Sequence, residues 1–508
     1  LIDTMAGESP ILGADASGGT DLKLNEVLTA TGGAVLRRRP DGRAAISARK
    51  VTPPGRWLGR LAFLAAMPGL TLLNAMVGLL LPALLGPIAF GQYALMVTLF
   101  QYGLVFDFGL SQLVDRVVPP MLGGADQPLL ARFIGQILWL RLYIAAALLV
   151  GGALLLIALS LGGGLAFDLL PALLAMAAGI AFMVALGPAS IYRARSQRRM
   201  FGLISIAVNL ILAIGRPLGV LAGGLVGCFL CLTLGYLVIA VWVHADLPPR
   251  RAERPSFAVC RSLLARGIPL FLTASVWAFY MTANRWIVSG LASSEALGQF
   301  AFAANAVYLI VGAVAGLAQF YYPRLTARAA LAPAGALSLQ VTRDFSVLAA
   351  GMALVSGVGM LLAPPLIGLF YPSFGPSAPA LQVLLIAVPS LVVSSWLMPV
   401  SLNLARRPWL DGAVIYPFAL LVLMGLTHLG YARAGLQGAG AGLVVSAQIL
   451  LVMQLAHLRQ TRLFRARDAL VLVGCALALS ALLAILLWSF PDGIGRITPH
   501  WAARVVPD

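Results

Sequence analysis

Thirteen apolar runs, each close to the length that spans a bilayer, follow one another along this chain and set what it can fold into. They cover residues 61–84, 89–113, 134–158, 166–188, 203–221, 224–243, 267–290, 297–320, 345–370, 379–403, 410–429, 436–457 and 468–490. A helix needs about 20 apolar residues to cross the hydrocarbon core. With no water there, the backbone must satisfy its own hydrogen bonds, which selects helices over open sheets. The least marked divisions separate 203–221 from 224–243, where the break is LAGGL, and 410–429 from 436–457. The rest of the chain cannot offset this much apolar surface, because 60% of residues are hydrophobic and 10% charged. Soluble domains carry roughly 25% charged residues. The expected fold class is an all-α polytopic membrane protein.

The formal net charge of +17 would suit nucleic acid if the cations shared a groove, but they fall in short clusters between the apolar runs. Their placement follows topology instead. Short cytoplasmic loops carry the excess of Lys and Arg, so the basic N-terminal tail goes inside and the spans alternate from there. The inner loops then hold 20 cations and the tail nine, against three on the outer side (Arg433, Arg496 and Arg504). This layout places the N-terminus in the cytoplasm, with residues 1–57 as a disordered basic tail. Four cysteines imply no disulfide framework, and Cys228 and Cys231 sit inside an apolar run as small packing residues. The four histidines have no metal-ligand spacing. No nucleotide loop or nucleophile turn is present, so neither metal, cofactor nor catalytic residue is expected.

An internal repeat divides the chain. FGQYAL from Phe90 returns as LGQFAF from Leu297, with Gly91, Gln92, Tyr93 and Ala94 matching Gly298, Gln299, Phe300 and Ala301 at an offset of 207. Each copy opens the second span of its half. Six spans per half point both halves the same way, related by an axis along the membrane normal as in parallel-repeat transporters. The expected layout is an N-terminal six-helix bundle over 58–247, a cytoplasmic linker over 248–266, a C-terminal six-helix bundle over 267–460, and an extra helix with a short tail over 461–508. Two facing bundles leave a central cleft.

The run LLGPIAFGQYALMVTLFQYGLVFDFGLSQLVDR (Leu84–Arg116) resembles the first helix pair of the Wzx-type polysaccharide flippases, a branch of the multidrug/oligosaccharidyl-lipid/polysaccharide exporter superfamily. So does Leu263–Leu325, with its basic loop, Gly-x-Pro-Leu, a span ending near Arg285, then Leu-Gly-x-Phe and a terminal Tyr-Pro-Arg. The likeness runs from about Leu61 to His457. It implies an undecaprenyl-pyrophosphate-linked oligosaccharide as substrate, moved by an ion gradient from the cytoplasmic to the periplasmic leaflet of a bacterial inner membrane. Membrane lipid is the surrounding partner, and a polysaccharide polymerase and glycosyltransferases are possible docking partners. Many relatives carry an acid before the seventh-helix arginine; here Asn284 precedes Arg285.

Charges inside apolar spans are costly, so each asks for a reason. Arg216 lies thirteen residues into its span and is followed by Pro217. That depth is about 20 Å at the helical rise. It is expected either to face the cleft and bind the pyrophosphate or an acidic sugar, which the planar guanidinium fork suits, or to be a structural arginine paired with an interhelical partner. Arg285 and Arg141 either line the same cleft or reach the interface on their aliphatic stems. Asn74, Asn209 and Asn284 either hydrogen-bond sugar hydroxyls or join helices. Asp107 is the one carboxylate well inside an apolar run. It is either an ion-coupling group or the partner of Arg116 or another inner-side cation. The rival readings are a drug or metabolite exporter of the same superfamily, which predicts an acid-lined cleft, and a membrane polymerase or glycosyltransferase, which needs a larger outer loop.

Overall fold

The structure, a computed structural model, describes residues 57–122, 127–163, 167–195, 197–246, 254–331, 335–404, 410–459 and 464–491. The expected disordered tail, apart from Trp57, and the C-terminal tail lie outside them. Among the described residues every regular element is helical. The first half contains α1 (Trp57–Val105), α2 (Leu110–Leu122), α3 (Gln127–Leu161), α4 (Leu169–Ala194), α5 (Arg198–Leu210) and α6 (Arg216–Asp246). The second contains α7 (Phe257–Leu291), α8 (Ser294–Leu331), α9 (Ser338–Phe370), α10 (Ala378–Leu385), α11 (Val388–Leu404) and α12 (Tyr416–Leu458). A further helix, α13 (Ala466–Ser489), packs along α9. Helix α7 starts at Phe257, inside the stretch expected as a linker.

Among the described residues, eight helices are long and apolar enough to cross a membrane, or up to ten when each of two bent pairs counts as one span. Two of these are too long to be single spans. Arg199–Ala245 has 47 residues and Asp411–Leu458 has 48, which would be about 70 Å if straight, against a core of about 30 Å. Each doubles back on glycine. Gly224 (φ 59°) and Gly435 (φ 55°) supply the left-handed backbone of the turn. On either side of it, Gly219 touches Gly227 and Gly430 touches Gly438 through bare backbone. Residues eight apart in a continuous helix would be about 12 Å apart, so these contacts are hairpins. In α1 the turn falls at Gly86 (φ 68°). Read this way, the helical segments match the thirteen runs seen in the sequence.

The turns repeat as the sequence does. Gly86 stands 207 residues before Ser293, in the short turn between α7 and α8, and Gly224 stands 211 before Gly435. At the interface the symmetry becomes a contact. A Cβ on Gly91 would overlap the Ser294 carbonyl oxygen, and one on Gly298 would overlap the Pro87 carbonyl oxygen. Pro87 and Ser294 are themselves 207 apart. Equivalent residues that touch one another reciprocally lie on the twofold axis, as in any isologous contact. The axis therefore passes between Gly91 and Gly298.

Five interruptions depart from the simple spans. The run 89–113 breaks after Val105, where Phe108 (φ 50°) and Gly109 (φ 75°) are both left-handed. Asp107 makes that break: its carboxylate accepts from the Gly109 N–H (2.9 Å) and the Ser111 N–H (3.0 Å), capping α2. The α7 span bends by 51° between Pro269 and Phe271, and the 379–403 span by 55° between Leu385 and Val388. Five-residue π-helical turns precede Pro217 (Ile211–Gly215) and Pro417 (Asp411–Ile415), consistent with the lost proline donor.

Candidate functional site

Between the two halves lies a cavity of about 380 Å³. Its walls come from equivalent positions of the repeat. Asn74 and Met281, Gly78 and Arg285, and Gln101 and Tyr308 all line it, and each pair is 207 residues apart. The cavity thus sits on the axis. One end is closed by the Gly91–Gly298 contact and by Phe90 and Phe302, which both pack on Phe374. Towards the arginine-rich end, Gly267 of α7 meets Phe108 and Gly109 through backbone. Phe106, Phe108, Phe271 and Phe279 form a chain of aromatic contacts there, with ring centroids 4.8–6.2 Å apart. On its flank, Leu79 and Leu309 are both lining residues and exposed, so the cavity reaches the apolar outer surface between α1 and α8.

Two guanidinium groups enter this space. The π-turn before Pro217 carries Arg216, which donates through Nε to the Leu212 carbonyl (2.6 Å) and through Nη2 to Asn74 Oδ1 (3.2 Å). Tyr93 Oη stands 3.5 Å from its Nη1. Asn209 sits behind, accepting from Asn74 Nδ2 at 2.9 Å, and so fixes the acceptor that holds Arg216. Arg285 is 2% exposed. Its Nη2 donates to Asn305 Oδ1 (2.6 Å) and its Nη1 to Thr98 Oγ1 (3.5 Å), while its carbon centre lies 5.3 Å from the Tyr308 ring centroid. Thr98 and Asn305 are again 207 apart, so the two halves grip Arg285 from matching positions. The position that matches Arg285 in the first half is Gly78, which faces open space. Charge on one side of the axis is met by room on the other.

Among the described residues neither arginine has a carboxylate partner, and no Asp or Glu lines the cavity. Neutral dipoles orient both groups but do not cancel their charge, so the cavity is a cationic space in a low-dielectric wall. Such a space attracts an anion more strongly than exposed arginines could. A diphosphate matches it in charge, and the guanidinium fork matches its oxygens.

The other residues singled out from the sequence fall elsewhere. Asn284 is fully buried and does not line the cavity; its Nδ2 donates to Tyr308 Oη at 2.8 Å and positions that ring under Arg285. Arg141 is 1% exposed and lies away from the cavity, reaching neither it nor the interface. Its Nη2 faces Asp107 Oδ2 at 3.5 Å and Ser111 Oγ at 3.1 Å, in a space that Gly187 leaves free. Asp107 is committed to that ion pair and to the cap of α2, and its partner is Arg141 rather than Arg116. Thr98 and Tyr308 carry no charge and were not among the residues expected at the site; Tyr93 stood out only as part of the repeat. The 207-residue offset was the signal that could have paired Thr98 with Asn305.

Replacing Asp107 by asparagine keeps a capping side chain but leaves Arg141 buried and unpaired. The expected cost is about 3 kcal/mol, read as a lower unfolding temperature in detergent. Removing the second charge as well, with Asp107→Asn and Arg141→Met together, is expected to restore most of the loss. An unchanged unfolding temperature in the single variant would show that the pair carries no such weight.

No family profile matches the chain, and no curated protein does. Solved structures do. The chain is similar to the lipid II flippase MurJ in an inward closed conformation, with a TM-score of 0.59 and 12% identity over 85% of this chain and 96% of that one. It is similar to the MATE multidrug transporter DinF-BH, with a TM-score of 0.53 and 14% identity over 86% and 100% of the two chains. An inward-facing multidrug resistance MATE family transporter of the MOP superfamily aligns with a TM-score of 0.52 and 15% identity over 82% and 95%. Two halves of six spans around an axial cavity, with nearly the whole of each of those chains aligned, give this chain the fold that the MATE and lipid II flippase structures share.

Proposed function

We propose that this protein is a transporter, not an enzyme, and that it moves an anionic lipid-linked oligosaccharide across a bacterial inner membrane by ion-coupled alternating access. The observation that carries this reading is the axial cavity, whose charges among the described residues are two arginines and no carboxylate. An undecaprenyl-pyrophosphate headgroup supplies the complementary charge. The cavity's flank of exposed Leu79 and Leu309 lets a polyprenyl tail stay among lipid chains while the headgroup sits inside. At about 380 Å³ the space holds a diphosphate and little more, so the sugars would follow as one closed end gives way. In this reading the N-terminus is cytoplasmic, and the substrate leaves towards the periplasm for a polysaccharide polymerase. A cationic drug is the poorer match, because the lining offers it no counter-charge.

The test is a binding comparison on the purified full-length protein in nanodiscs. Undecaprenyl pyrophosphate is expected to bind, and Arg216→Ala and Arg285→Ala are each expected to weaken it by about 10-fold or more, the weight of one charge-assisted hydrogen bond. Binding of a cationic rhodamine dye with no response to undecaprenyl pyrophosphate would overturn the proposal in favour of a drug exporter.

A further inference from the structure

Asp107 is tied to Arg141, which leaves a different pair of titratable groups without an assigned task. Asp411 opens the π-turn at the start of α12's span and is fully buried; His457, the penultimate residue of α12, is 6% exposed. Their facing atoms, Asp411 Oδ1 and His457 Nε2, are 3.9 Å apart, and neither makes a hydrogen bond. The second carboxylate oxygen of Asp411 accepts from the Ser401 hydroxyl. The Asp411 carboxylate also acts on Tyr416, whose hydroxyl accepts from Gln454 Nε2 at 2.7 Å. From the helices packed around the pair, α11 contributes Ser401 and α7 contributes Thr273, neither of them charged. No guanidinium acts on Asp411 among the described residues.

We infer that Asp411 and His457 form a proton-binding site whose occupancy sets whether the arginine-rich end of the cavity is closed. With one proton, the pair is neutral overall, either as imidazolium and carboxylate or as imidazole and carboxylic acid. With none it carries −1, and with two it carries +1. With no counter-charge facing it among the described residues, this buried space resists either net charge unless the surrounding helices move to admit water. The proton comes from water at the arginine-rich end and returns to water, so no other reactant is needed. The open 3.9 Å gap, with an unmet acceptor facing an unmet ring nitrogen, is what a shared proton would close. An alkali cation fits less well, since an imidazole is a poor ligand for a hard cation.

The site can act at a distance because of where it leans. Gly412, next to Asp411, packs its backbone against Thr273 of α7. Thr273 lies just beyond the 51° bend of α7, and Gly267, just before that bend, makes the closing contact with Phe108 and Gly109. The same helix carries Arg285 further along. A shift of the Asp411 turn therefore bears on the hinge that closes one end of the passage. This rests on the transport fold and not on the identity of the substrate.

The experiment uses no substrate, so it can fail while the binding proposal stands, and the reverse. Spin labels are placed at the exposed positions 116 and 261, on α2 and α7, in a full-length chain with its native cysteines replaced by alanine. The distance between them is followed in nanodiscs from about pH 5.5 to about pH 8.5. The wild-type pair is expected to show two distance populations that exchange with pH. Asp411→Asn and His457→Gln are each expected to abolish the pH response, and Asp411→Glu to retain it. A pH-independent distance in the otherwise unaltered chain overturns the proposal without relying on any variant's folding. So does a response that persists in both Asp411→Asn and His457→Gln.

Discussion

Arg285→Met is expected to abolish most transport while leaving the protein at least as stable as the unaltered chain. The two halves of that result come from the same arrangement. Arg285 is buried with no carboxylate partner, and its partners are the amide oxygen of Asn305, the hydroxyl of Thr98 and the face of Tyr308. Holding an uncompensated guanidinium in a low-dielectric wall costs several kcal/mol, a cost that a methionine of similar length removes. A bound anion would offset that cost in the wild-type chain, and only in the liganded state. Losing one hydrogen bond from a charged donor costs about 1.5–3 kcal/mol, so transport in proteoliposomes should fall by about 10- to 150-fold. Arg285→Lys keeps the charge but loses the fork and is expected to fall between the two. If Arg285→Met instead unfolded at a clearly lower temperature, the arginine would be a structural tie between α1, α7 and α8.

The site was legible in part because charged and strongly polar groups are rare inside apolar helices. Arg216, Arg285 and Asn74 stood out for that reason, and the structure brings all three to the cavity. The same signal also raised Arg141, which lies elsewhere. A helix that is apolar all round has no sequence periodicity to say which side faces a partner, so rarity reveals a costly group without its direction. Asp107 had a further clue that went unread. Asp-Phe-Gly followed by Ser111 is the pattern of a capped helix start, and the run 89–113 breaks there. Asp411 and His457 are each unremarkable at the ends of apolar runs. Only folding α12's hairpin, with Gly435 at its tip, brings residues 46 positions apart in sequence face to face.

Gly298→Ala is expected to destabilise the protein far more than the same methyl group added at Gly312 of α8. The reason is the close approach on the twofold axis. A Cβ at Gly298 has to occupy the place of the Pro87 carbonyl oxygen, which belongs to rigid helix backbone and cannot turn aside as a side chain would. Overpacking of this kind costs about 1–3 kcal/mol, and more where the neighbour cannot yield. Gly312, on the same helix, is the control: nothing lies within 4 Å of the place its methyl would take, so Gly312→Ala is expected to leave stability unchanged or raise it by up to about 1 kcal/mol through helix propensity. Gly91→Ala is expected to match Gly298→Ala, because its methyl would overlap the equivalent Ser294 carbonyl oxygen. The double variant then decides whether one contact or two is at stake. Once either methyl has pushed α1 and α8 apart, the second meets a gap already opened, so the combined loss in unfolding temperature should be well short of additive. Full additivity would mean that Gly91 and Gly298 pack independently, and the axis would have to be sought elsewhere along the interface.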